Sequence, residues 1–81
     1  MRITHTERIK RELENFSLVV RGAFYKQVHF LKQDIRHLSL RAKKYGGVEN
    51  IWQARVNRNV RFYFLVKGDT YILLNIKKHK D

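Results

Sequence analysis

Among the odd positions late in the chain are side chains able to meet an anion: Arg55, Arg61, Lys77 and His79. Tyr63 and Tyr71 share that parity. The even positions of the same stretch read Trp52, Ala54, Val56, Val60, Phe62, Phe64, Val66, Ile72, Leu74 and Ile76, with Arg58, Gly68 and Thr70 as exceptions. Alternation with period two marks strands that bury one face. The other face then gathers guanidinium, ammonium and imidazole groups beside tyrosines. Such a surface suits a phosphate-bearing partner, and an imidazole next to a held phosphate suits cutting it.

The pairing of these strands follows from keeping the oily face clean. A three-residue turn at Asn57-Arg58-Asn59 sets Val56 against Val60, Arg55 against Arg61, Ala54 against Phe62 and Trp52 against Phe64. Like charges directly opposite are unfavourable unless an anion lies between them. A second loop of three residues, Gly68-Asp69-Thr70, pairs Val66 with Ile72 and Phe62 with Ile76. It sets Lys77 opposite Arg61, with a bulge expected at Gly68. A two-residue turn at Gly68-Asp69 would pair Val66 with Tyr71 and put Asn75 and Lys77 on the oily face.

The elements that carry this sheet lie upstream. Residues 2–6 read as a short strand. Thr6 is the expected N-cap of a first helix, with Glu7 in its first turn and Ile9, Leu13 and Phe16 on one face. Asn15-Phe16-Ser17 offers a break. Val20, Phe24, Val28, Leu31, Ile35 and Leu38 then form the stripe of a second helix. Two helices as an antiparallel hairpin on the sheet is the expected arrangement, with one longer helix as the alternative. Gly46-Gly47 closes a basic approach, Arg41-Ala42-Lys43-Lys44-Tyr45, to the first long strand.

Composition bounds the function. At 81 residues, 43% hydrophobic, the chain is expected to form one domain, 1–81, with a thin core. There is no cysteine, which removes disulfides and thiolate chemistry and fits a cytoplasmic setting. No apolar run reaches membrane-spanning length, no signal-peptide pattern opens the chain, and no membrane partner is expected. Eighteen Lys and Arg against seven Asp and Glu give a net charge of +11, which attracts nucleic acid or an acidic protein. His5, His29 and His37 are scattered, and Glu12 and Glu14 lack ligand spacing, so neither a metal nor any other cofactor is expected. His37 reads as a partner for the end of the second helix. Gly46-Gly47 lacks the residues of a phosphate loop. Trp52 reads as core.

The ordered set Asp34-Ile35-Arg36-His37-Leu38-Ser39-Leu40, Lys43-Lys44, Ile51-Trp52-Gln53-Ala54-Arg55-Val56, Val60-Arg61-Phe62-Tyr63-Phe64 and Ile76-Lys77-Lys78-His79 resembles the RelE/ParE toxin superfamily of bacterial type II toxin–antitoxin systems. The likeness is to its RelE-like, mRNA-cleaving side and spans nearly the whole chain. It implies an α+β fold: a short N-terminal strand, then a two-helix hairpin packed on an antiparallel β-sheet. It implies metal-free cutting of mRNA in the ribosomal A site. By position, Arg55 matches the basic residue of the first long strand, Arg61 the arginine beginning the second, and His79 the late basic position. Two departures stand out. The tyrosine that many relatives carry beyond that position is missing before Asp81, and a proline common where Leu38 stands is absent.

On this resemblance Arg61, His79 and Arg55 form the catalytic set. Cutting without metal needs a base for the 2′-hydroxyl, cations for the charged phosphorane and an acid for the leaving oxygen. An imidazole titrates near neutrality and suits either proton role, with base the favoured one for His79. Lys77, Lys43, Lys44, Tyr63 and Tyr71 are the expected RNA contacts, the tyrosines by stacking. The implied partners are an acidic antitoxin, with which oligomers form, and the ribosome with its mRNA and rRNA. Two rivals stay open: a ParE-like poison of DNA gyrase, and a decayed member that only binds antitoxin or RNA.

Overall fold

The computed structural model describes residues 1–47 and 50–79; Asp81 lies outside them. Its elements run β1 (Arg2–His5), α1 (Glu7–Leu13), α2 (Leu18–Gln33), a 3₁₀ turn (Leu38–Leu40), β2 (Lys43–Lys44), β3 (Ile51–Arg55), β4 (Val60–Lys67) and β5 (Thr70–Lys78). The strands form one sheet in the order β1-β5-β4-β3-β2. This is an α+β fold with two helices, as the sequence suggests. One feature differs from the expected antiparallel sheet: β1 pairs with β5 in parallel. No hairpin joins these strands, so connectivity does not force them antiparallel, and the intervening helices supply the crossover.

Local chemistry sets the helix ends. The Thr6 Oγ1 accepts from the Ile9 N–H at 3.1 Å and caps α1, whose Ile9 and Leu13 are buried. The Ser17 Oγ accepts from Val20 N–H at 3.2 Å and caps α2. Along α2 the stripe Phe24, Val28 and Leu31 is buried, but the helix stops earlier than the periodicity suggests. Asp34 takes an extended conformation, and its Oδ1 accepts from the Arg36 N–H at 2.9 Å, a local bond that competes with the helix. Leu38 is consequently 90% exposed, and Leu40 fills the core instead.

The β3–β4 hairpin has the expected register: Arg55 faces Arg61, Ala54 faces Phe62 and Trp52 faces Phe64. The β4–β5 hairpin corrects the expected loop. Lys67 pairs with Thr70 and Val66 with Tyr71, so the turn has two residues, Gly68 and Asp69. Gly68 has φ +58°, which a two-residue turn of this hand requires at its first position. The bulge sits four residues on from Thr70, at Leu74: Asn75 pairs with Tyr63, whereas Leu73 pairs with Phe64. That extra residue resets the parity, so Phe62 still meets Ile76 and Arg61 still meets Lys77. Tyr71 moves to the core face, 6% exposed and edge-on to Phe64.

The core lies between this face and the helices. Phe24 of α2 meets Phe62 edge to face at 5.3 Å, and Trp52, half-buried, stacks on Phe64. Beyond the end of β1 the free edge of β5 is covered by side chains of the first helical segment. The Thr6 hydroxyl donates to the Leu74 carbonyl at 2.9 Å, and the Glu12 Oε1 accepts from the Ile76 N–H at 3.0 Å. Glu12 is thus a structural acceptor. Among the described residues no helix is long and apolar enough to cross a membrane.

Two stability predictions follow from the backbone and the core. Adding a methyl at Gly68 meets open space but must hold a positive φ, so Gly68→Ala costs about 1 kcal/mol. Gly22 in α2 also has open space but ordinary helical geometry, so Gly22→Ala gains about 0.5–1 kcal/mol. Urea denaturation should show these opposite signs. His5 lies beside Phe24 and Tyr25, and its Nε2 is buried without a partner. Burial, and then the Lys10 charge, hold its pKa below the ordinary 6.5. Between the folded and unfolded values the unfolded chain binds more protons, so stability rises with pH there. The contribution is complete above 6.5 and lost as pH falls through the folded value. The urea midpoint should therefore drop on acidification from about pH 7.5 to about pH 5, and His5→Phe should flatten that slope.

Candidate functional site

The hairpin registers put three cations in a row on the open face. Arg61 of β4 stands between Arg55 of β3 and Lys77 of β5. Each is held differently. The Arg61 Nη1 donates to the carbonyls of Asn57, Val60 and Arg58, at 2.8, 3.2 and 3.3 Å. Those acceptors belong to the β3–β4 turn and the residue that follows it, so the turn fixes the guanidinium. The Lys77 Nζ lies 5.3 Å from the centre of the Tyr63 ring, over its face, a cation–π contact. Arg55 has no such support: its Nε is buried and makes no hydrogen bond. Burial, and then the charges of Arg41, Arg61 and Arg58, lower its pKa. An anion placed in the cleft would relieve the repulsion between Arg55 and Arg61.

Arg55 and Arg61 share a cleft of about 350 Å³ with Arg41, Lys43, Gln53 and His79. Four of its six lining residues are Lys or Arg, and none is a carboxylate. His79 is positioned by its backbone, whose N–H donates to the Asn59 carbonyl at 2.7 Å. The same turn therefore orients Arg61 and the end of β5. Lys43 reaches the cleft because β2 pairs with β3, with Lys43 opposite Gln53. Arg41 follows the 3₁₀ turn with φ 45° and ψ 44°, the left-handed region that costs a side-chain-bearing residue about 1–2 kcal/mol.

One buried side chain ties this end together. Gln27 of α2, 6% exposed, donates from its Nε2 to the carbonyls of Ser39 (2.9 Å) and Arg55 (2.8 Å). Its Oε1 accepts from the Ser39 hydroxyl at 3.2 Å. The Ser39 backbone N–H in turn donates to the His37 Nδ1, and the His37 ring stacks on Phe30 at 3.9 Å. His37 thus caps the 3₁₀ turn rather than the end of α2. The amide of Gln27 locks α2, the 3₁₀ turn before Arg41 and the end of β3 into one frame.

Other sequence candidates go elsewhere. Lys44 pairs with Trp52, on the opposite face from the cleft. Tyr71 is core and cannot stack on a base as the sequence suggests, because the two-residue turn points it inward. Tyr63 does lie on the open face but is 5% exposed, covered by Lys77 and by Tyr45, whose ring crosses it edge-on at 4.8 Å. Burial, and then Tyr45, push the Tyr63 hydroxyl's pKa up. Tyr45, 47% exposed, offers the free aromatic surface that Tyr63 lacks. Arg41, Gln53 and Tyr45 were not among the sequence candidates. Gln53 had the right parity but no charge, while Arg41 and Tyr45 sit outside any periodic pattern. Among the described residues no three His, Cys, Asp or Glu side chains are grouped to hold a metal ion.

Replacing Gln27 by Met keeps its bulk and removes its bonds. The Ser39 and Arg55 carbonyls then lose their buried donor, at about 1–3 kcal/mol. The expected result is a lower urea midpoint with the overall circular dichroism spectrum kept.

No family model matches the sequence, and no curated protein matches it. Solved structures do match in shape. A YoeB/ParE toxin from Agrobacterium tumefaciens superposes with TM-score 0.82 at 14% identity, covering 99% of this chain and 100% of that one. RelE in the RelE–RelB complex of the archaeon Pyrococcus horikoshii gives 0.80 at 15% identity, covering 95% and 92%. The isolated E. coli RelE toxin gives 0.79 at 15% identity, covering 99% and 85%. Over nearly the whole chain, then, the fold is the one seen in these solved RelE and YoeB/ParE toxins.

Proposed function

We propose that this chain is the toxin of a type II toxin–antitoxin system, a metal-independent endoribonuclease that cuts mRNA in the ribosomal A site. One observation carries the reading: Arg55, Arg61 and His79 line a single cleft with Arg41 and Lys43 and no carboxylate. Hydrogen-bonded guanidinium groups can hold a phosphodiester and take up the charge of its phosphorane. In this reading Arg61 grips the scissile phosphate with the N–H groups that the turn carbonyls do not use. Arg55 adds a second positive charge from the neighbouring strand. His79 takes the proton of the 2′-hydroxyl, whose oxygen attacks phosphorus to form the 2′,3′-cyclic phosphate. The 5′ oxygen leaves, protonated by solvent that reaches the open cleft. Lys43 and Lys77 steer the RNA backbone; Lys44, on the other face, is left for rRNA.

The same charge calls for a keeper. A net charge of +11 favours an acidic antitoxin laid over the open face. Support comes from RelE solved together with RelB.

The test is addition of the purified chain to a translating extract, with mRNA 5′ ends mapped by primer extension. New ends within A-site codons are expected, reduced about 100-fold or more by Arg61→Ala and by His79→Gln. Ends that persist in Arg61→Ala would remove that residue from the chemistry. No cuts at all, with DNA supercoiling by gyrase blocked instead, would overturn the nuclease reading in favour of a gyrase poison.

A further inference from the structure

The open face does not end at the cationic cleft. Beyond Lys77 it opens into a small hollow of about 150 Å³ lined by Tyr45, Ile51, Tyr63, Leu74, Asn75 and Lys77. Its walls are aliphatic and aromatic. The Leu74 bulge places Leu74 and Asn75 side by side on this one face, which regular alternation would forbid. Among the described residues the Asn75 side-chain amide makes no hydrogen bond, so its donor and acceptor are both free. A second depression, lined by Tyr45, Gln53, Tyr63, Lys77, Lys78 and His79, shares three residues with the hollow and two with the cleft. The hollow and the phosphate cleft are therefore neighbours on the same face of the sheet.

A flat ring with a polar edge fits such a place. Drug-sized ligands need about 300 Å³ or more, so a hollow half that size holds one ring system. Tyr45 offers a ring for stacking, the aliphatic side chains exclude water, and the amide can read a base edge. We propose that this hollow is a nucleobase subsite for the nucleotide next to the phosphate held by Arg55 and Arg61, with Asn75 as its specificity-determining residue. The proposal rests on the reading of the cleft as an RNA site.

The test is fluorescence anisotropy with labelled hexaribonucleotides of A, C, G or U, beside an abasic hexamer with the same backbone, at low salt. The unaltered chain should bind its preferred base-bearing RNA about tenfold tighter than the abasic one. Tyr45→Ala should bring that RNA down to the abasic level. Asn75→Ala should keep binding but level the four bases. Arg61→Ala should weaken every RNA, abasic included. Equal binding of abasic and base-bearing RNA by the unaltered chain, which needs no variant to fold, would overturn the subsite alone. Base preference unchanged in both folded variants would do the same. No RNA binding, or binding indifferent to Arg61→Ala, would overturn the RNA reading of the cleft and the subsite with it.

Discussion

Arg55 faces Arg61 across the β3–β4 ladder, and much of this molecule is arranged around that unfavourable pair. The opposition is forced by the core. Ala54, Val56, Val60 and Phe62 must all point toward the helices, and a shift of one residue would expose them. Buried apolar surface on that scale outweighs the repulsion of two partly solvated guanidinium groups. The turn between them then holds Arg61 through backbone carbonyls, which accept from the cation without neutralising it. The result is a fixed concentration of positive charge with an open mouth.

That site is stiffened from behind. Gln27 reaches through the core to two carbonyls on different elements, so the helix reports its position to the end of β3 and to the 3₁₀ turn. Arg41 emerges from this turn in a left-handed conformation that glycine would adopt more easily. Strain of this kind persists where the surroundings over-determine it, and here it directs a cation into the cleft.

A single strand, β5, serves both ends of the open face. Its first half pairs in one parity, with Tyr71 and Leu73 inward; its second half pairs in the other, with Ile76 inward and Lys77 outward. The bulge at Leu74 joins the two. It lets a tight two-residue turn coexist with a clean core, and it leaves two adjacent side chains on the same face.

The sequence by itself determined the strands of the β3–β4 hairpin, their register and the side chains of its two faces. It determined the N-cap at Thr6, the break at Asn15-Phe16-Ser17 and the helical stripe through Leu31. These follow from periodicity and from hydrogen bonds within a few residues, which a linear chain displays. Tertiary structure decided the rest. A two-residue turn plus a distant bulge gives the same pairing of Phe62 with Ile76 as one longer loop, so alternation could not tell them apart, and Tyr71 was misplaced. The direction of β1, the reach of Gln27, and the meeting of Arg41, Lys43 and Tyr45 with the sheet are contacts between elements far apart in the chain. Packing fixes them, and no local pattern encodes packing.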